Sequence, residues 1–127
     1  MKEWRWLGSR IIYAVHDRQL AEHGGRDGIR DQGSVESALT RPQNLTLYGT
    51  PDVADLAAAY VYGLTKNHGF IDGNKQTAWI AARLFLADNG YRIRIDKVDA
   101  VRTVEAVAAS RMSEAELASW FRDRIIK

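Results

Sequence analysis

The stretch NHGFIDGNKQT, Asn67 to Thr77, brings a histidine, a carboxylate, a glycine–asparagine pair and a lysine into the eight positions from His68 to Lys75. An imidazole titrating near neutrality is the best available acceptor for a hydroxyl proton, so His68 is a candidate general base. A histidine there also suits the negative end of a helix that stops at that point. Asp72 is a candidate Mg²⁺ ligand, because that ion takes one or two carboxylates together with the phosphate oxygens of a substrate. Helix capping is the plainer use of an aspartate. Phe70 and Ile71 read as apolar anchors that pin the turn to the core and keep His68 and Asp72 in fixed directions. Six specified residues (His68, Phe70, Asp72, Gly73, Asn74, Lys75) at fixed offsets arise by chance on the order of once in 10⁷ to 10⁸ starting positions, so the combination outweighs its parts.

These groups share a direction only if a helix starts at Asn74. The first turn of a helix leaves backbone N–H groups unpaired and carries the positive end of the dipole. Gly73 and Asn74 tolerate unusual backbone angles and let those amides converge on a ligand. Such an end is a natural phosphate cradle, and Lys75 adds a full positive charge beside it. From Asn74 to Asn89, stopped by Gly90, the run TAWIAARLFLA is apolar on nearly every side, which predicts a buried helix at the centre of an all-α bundle.

The other elements read as amphipathic helices around it. Ser9 can cap a first helix running to about Glu22, closed by His23-Gly24-Gly25. HGGRDGIRDQG is a loop, after which Ser34 can start a short helix that ends before Pro42. Asp52 caps a helix with Val53, Leu56, Ala57, Tyr60, Val61 and Leu64 on one face. Asp96 caps another carrying Val98, Val101 and Val104. Ser113 and Glu116 form a capping box ahead of Leu117, Trp120, Phe121 and Ile125. NLTLY (44–48) and YRIRI (91–95) are the only candidates for extended structure.

The bulk numbers narrow the class. At 127 residues the chain is expected to be a single domain, 1–127. Its net charge of +2 is no basic footprint, and no Arg/Lys cluster lies on one recognition face, so direct nucleic-acid binding is not expected. The absence of cysteine excludes disulfides and thiolate metal sites. It suits a reducing cytoplasm, and with no signal-peptide pattern and no membrane-length apolar run the expected location is cytoplasmic.

His-x-Phe-x-Asp-Gly-Asn-Lys at the entrance to a buried helix resembles the signature of the Fic/Doc family, most of all its Doc (death-on-curing) branch. HDRQLAEHGGRDGIRD and LFLADNGY are similar to Doc-type chains too, so the likeness extends over the whole length. The resemblance implies a Fic/Doc-like helical bundle with at most a short β flap. It implies a toxin of a type II toxin–antitoxin module, with ATP and Mg²⁺ as cofactors. Fic enzymes commonly carry Gly-Asn-Gly and transfer AMP. The lysine of Doc-type chains goes with the nucleotide held the other way round and with transfer of its γ-phosphate to a protein hydroxyl, a threonine of elongation factor Tu in the known case. On this chain His68 then deprotonates the target hydroxyl and Asp72 holds Mg²⁺. Gly73, Asn74, Lys75 and position 76 cradle phosphate, Lys66 adds charge, and the flap segment Leu45, Thr46, Leu47, Tyr48 docks the target by strand-like pairing.

Gln76 departs from the pattern, which has arginine there. A charge-assisted hydrogen bond contributes roughly 1.5–3 kcal/mol, so its loss slows transfer by on the order of ten- to a hundredfold or more. Arg83 lies about 10 Å further along the helix at 1.5 Å per residue and is a poor substitute. Two explanations stand: a natural variation giving a slower enzyme or another donor, or an engineered change that makes a toxic chain tolerable. Trp79 stands where Fic enzymes have a second arginine, which speaks against AMP transfer. Ser110 to Ala115 only partly matches the family's self-inhibitory motif, since Ala115 replaces Gly or Asn. Restraint is therefore expected in trans, from a Phd-like antitoxin with a disordered tail. The alternatives are AMP transfer and a catalytically degenerate Fic-fold binding module.

Overall fold

The computed structural model describes residues 3–127. In chain order it contains α1 (Ser9–His23), α2 (Gln32–Tyr48), α3 (Val53–Asn67), α4 (Asn74–Asp88), strand β1 (Arg92–Ile93), α5 (Lys97–Ala108), α6 (Glu114–Arg122) and strand β2 (Ile125–Ile126). The architecture is all-α, as expected; β1 and β2 pair antiparallel with Arg92 opposite Ile126 and Ile93 opposite Ile125. YRIRI therefore supplies a strand, while Ile125, assigned to the last helix from its spacing, is the partner strand.

The central helix is α3 rather than α4. Eleven of the 15 residues of α3 are buried, among them Ala54, Ala57, Ala58, Ala59 and Gly63. Small side chains on every side let neighbours close in from all directions, which an apolar run with Trp79, Leu84 and Arg83 does not. A methyl placed on Gly63 would meet Ala38 Cα and Cβ of α2 at 3.2 Å. In α4, by contrast, Thr77, Ala78, Ala81, Ala82, Phe85 and Leu86 face the core, and Gln76 and Arg83 stay exposed. The composition of α4 looked apolar all round because its open side carries Trp79, Ile80 and Leu84, only half-buried.

Asp52 caps α3 by accepting Asp55 N–H at 2.9 Å, and Asp55 returns the bond to Asp52 N–H at 3.0 Å. Ser113 and Glu116 do the same for α6, and Asp96 accepts Val98 N–H. Two expected starts differ. Gly8, with no side-chain bond, precedes α1, and Asp31, not Ser34, caps α2.

Helix α2 also runs straight through Pro42 to Tyr48. Proline removes one backbone donor inside the helix, yet Val35, Ala38, Leu39 and Pro42 itself are buried against the core, and that burial outweighs the lost bond. NLTLY is accordingly the last turns of a helix, not extended chain.

Candidate active site

The turn from His68 to Gly73 joins the end of α3 to the start of α4. His68 closes α3 in the left-handed region (φ 51, ψ 47), which turns the chain out of the helix and leaves the imidazole exposed. Helix α4 begins at Asn74, as the sequence indicated, with left-handed Gly73 (φ 78) as its cap. Its first backbone bond runs from Thr77 N–H to Gly73 C=O at 3.0 Å, so the amides of Asn74, Lys75 and Gln76 precede the intrahelical ladder.

Asn74 is buried and its side-chain amide is tied to the turn. Its Oδ1 accepts Phe70 N–H at 3.0 Å and its Nδ2 donates to Phe70 C=O at 2.9 Å. That pairing fixes the amide's orientation and leaves Nδ2 3.5 Å from His68 Nδ1. Such a distance is at the edge of hydrogen bonding, so the exposed ring can adopt either tautomer. Asp72 is exposed and does not cap α4. Its Oδ1 accepts Gly73 N–H at 2.9 Å and its Oδ2 accepts Arg26 N–H at 3.2 Å. These amides, Arg26 before Gly73, hold the carboxyl below the usual carboxylate range, so Asp72 is ionised at neutral pH.

Phe70 is the anchor expected: it is buried, stacked on His16 and edge-on to Tyr13. Ile71 is not. Its side chain is 44% exposed, and its hold on the structure is a backbone bond to Gly28 C=O at 3.1 Å. The glycine-rich loop laces onto the turn elsewhere as well, with Arg30 and Asp31 N–H both donating to Gly69 C=O.

The cationic side chains are already engaged. Lys75 Nζ bonds Glu105 of α5 at 2.8 Å, and Lys66 Nζ bonds Ser110 Oγ. Gln76 is exposed and lines a cleft of about 750 Å³ together with Lys75, Trp79, Arg83, Val101 and Val104. That volume lies within the range of small-molecule sites. His68 and Asp72 stand outside the cleft walls, so the motif and the cleft meet only at Lys75 and Gln76.

Leu45, Thr46, Leu47 and Tyr48 are helical, which corrects the expected strand-like flap: they form the last turn of α2 rather than an extended edge. Leu47 and Tyr48 are nevertheless 72% and 89% exposed. Glu114 of the partial inhibitory motif is bound by Arg41 of α2, and no described hydrogen bond takes it to the first turn of α4.

The residues that spacing alone did not find are His16, Gln19 and Glu105. A polar pair at helical spacing with buried Ile12 was the available signal for the first two. Nothing local marked Glu105, which reaches Lys75 from another helix.

A fold of this kind, with the His-x-Phe-x-Asp-Gly-Asn-Lys turn feeding a helix, defines a class. The model of the Fic/DOC family matches residues 6–86, and the chain belongs to that family. Two relatives are particular members. Toxin Doc of Mycolicibacterium smegmatis (strain ATCC 700084 / mc(2)155) is 45% identical over 76 residues, 58% of this chain and 58% of that protein. The protein kinase doc of Escherichia phage P1 is 29% identical over 119 residues, 93% of this chain and 94% of that protein. No helix among the described residues is long and apolar enough to cross a membrane.

Proposed function

We propose that this chain is a Doc-type toxin that phosphorylates a protein, transferring the γ-phosphate of ATP to a hydroxyl of a translation factor of the elongation factor Tu class. The name of the phage P1 relative, a protein kinase that aligns over nearly the full length, favours this over AMP transfer. The observation that carries the reading is the turn itself. An exposed imidazole, an ionised carboxylate and a helix N-terminus with unpaired amides lie within nine residues, 68–76, where the turn enters α4.

The chemistry needs little more than positioning and charge. His68 takes the proton of the target hydroxyl as its oxygen bonds the γ-phosphorus; the bond to the β-phosphate oxygen breaks and ADP leaves. The amides of the first turn of α4 receive phosphate oxygens. Asp72 fits Mg²⁺: it is exposed and ionised, and each oxygen has accepted one amide and retains a lone pair. Bound there, the ion would neutralise charge on the phosphates. Lys75 reaches them only by leaving Glu105, and Gln76 contributes polarity without charge.

Restraint in trans by a Phd-like antitoxin completes the proposal, and the location proposed is the cytoplasm. Glu114 is bonded to Arg41 of α2, which supports restraint by a separate chain rather than by Glu114. The test is incubation with a translation factor and ATP labelled on its γ- or α-phosphate. Label from the γ-position, lost on His68→Ala, is the expected outcome. Label from the α-position instead means AMP transfer. Silence with both, even after Gln76→Arg, leaves a binding module.

A further inference from the structure

We propose that His16, on α1 and outside the motif, is a positioning residue of the site: it clamps the Phe70–Gly73 turn so that Asp72 and the first amides of α4 keep one shared direction. This inference rests on the reading of the turn as the reactive site. His16 is 2% exposed, deep for an imidazole. Its Nε2 lies 2.8 Å from the carbonyl oxygen of Asp72, 56 residues further along the chain. A carbonyl only accepts, so Nε2 carries a hydrogen and donates it. The same ring lies flat on Phe70, centroids 3.7 Å apart and planes 10° from parallel. One side chain therefore grips the turn at two places, two residues apart.

One turn later, Gln19 supplies the floor. A methyl built on Gly73 would sit 1.9 Å from its Nε2. With Phe70 stacked, the Asp72 carbonyl tied inward and Gly73 seated on Gln19, the Asp72 carboxylate is left facing the amides of Arg26 and Gly73. Groups that orient a metal ligand without touching the metal typically alter affinity or activity 10- to 100-fold when removed.

Three substitutions separate the two grips. His16→Gln retains a donor of similar reach, His16→Phe retains the stacking ring, and His16→Ala retains neither. Hydrogen exchange at the Ile71 and Gly73 amides is read on the full chain without substrate, beside its thermal midpoint. The Mg²⁺ and ATP half-saturation concentrations for transfer are then measured separately. The expected result is faster exchange at both amides in the Phe and Ala variants, near-native exchange in Gln, and a Mg²⁺ requirement raised about 10- to 100-fold in Phe. The ATP requirement at saturating Mg²⁺ changes much less. Should His16→Ala not fold, the Phe and Gln pair decides the matter alone. Native exchange in His16→Phe overturns the proposal, as does a Mg²⁺ shift no larger than the ATP shift. Exchange needs no turnover, so a wild-type chain that transfers nothing sinks the kinase reading while exchange still judges the clamp.

Discussion

Replacing Gly73 by alanine tests the geometry of the site at its tightest point. The cap sits at φ 78, where an L side chain is strained by roughly 1–2 kcal/mol. The new methyl would also lie 1.9 Å from Gln19 Nε2 and 3.1 Å from its Cδ. Gln19 is buried, so its amide must be displaced against packed neighbours or the turn must shift. Overpacking of that kind costs typically 1–3 kcal/mol, giving a total of about 2–5 kcal/mol against a domain stability of roughly 5–15 kcal/mol. Urea unfolding of wild type, Gly73→Ala, Gln19→Ala and the double variant resolves the two contributions. The strain remains in either background, whereas the clash disappears with Gln19→Ala, leaving a coupling of about 1–3 kcal/mol. Equal losses in both backgrounds would refute the clash, and a Gly73→Ala chain within about 0.5 kcal/mol of wild type would refute the whole account.

Two further outcomes are expected. Glu105→Ala releases Lys75 from a half-exposed ion pair, so stability barely moves while the ATP concentration needed for half-maximal transfer falls by up to about fivefold, less at high salt; an unchanged requirement at low salt means Lys75 does not meet phosphate. Arg122 foremost draws Asp52 down to about 2 in the folded chain, below its unfolded value near 3.9. The pair therefore stabilises above about pH 4, and that stabilisation fades as pH falls toward about 2. Because both side chains are about half exposed, the effect is no more than about 1 kcal/mol. Urea titrations of wild type and Asp52→Asn should converge across that window, and a constant gap would count against it.

The start of α4 was legible because it is local, a glycine able to adopt positive φ ahead of a helical run, although the cap is Gly73 rather than Asp72. The capping residues Asp52, Asp96 and Ser113 were legible for the same reason. What escaped was set by distant neighbours. Pro42 looks like a stop to any reading of local propensity, but Ala38 meeting Gly63 brings α2 close to α3 and the face running from Val35 to Pro42 itself is buried. The apolar composition of α4 likewise concealed which helix is enclosed, since small residues, not hydrophobic ones, identify the helix approached from all sides. Within the candidate site, the types and order of His68, Phe70, Asp72 and Asn74 could be read. That Asn74 is consumed by Phe70, and Lys75 by Glu105, depends on directions that one-dimensional spacing does not contain.

The glycine-rich loop tied to Gly69 and Ile71 has a bearing on how the protein acquires its reactive groups. A short peptide copied from residues 67–77 would hold every atom of the motif and the Asn74–Phe70 bonds, but not the bonds from Gly28, Arg30 and Asp31 that hold Gly69 and Ile71 in place. Contacts between segments some forty residues apart form late, after the entropy of closing the intervening chain has been met. The turn therefore takes its final shape only once the loop of residues 28–31 has closed on it, and local unfolding that frees this loop releases the turn again.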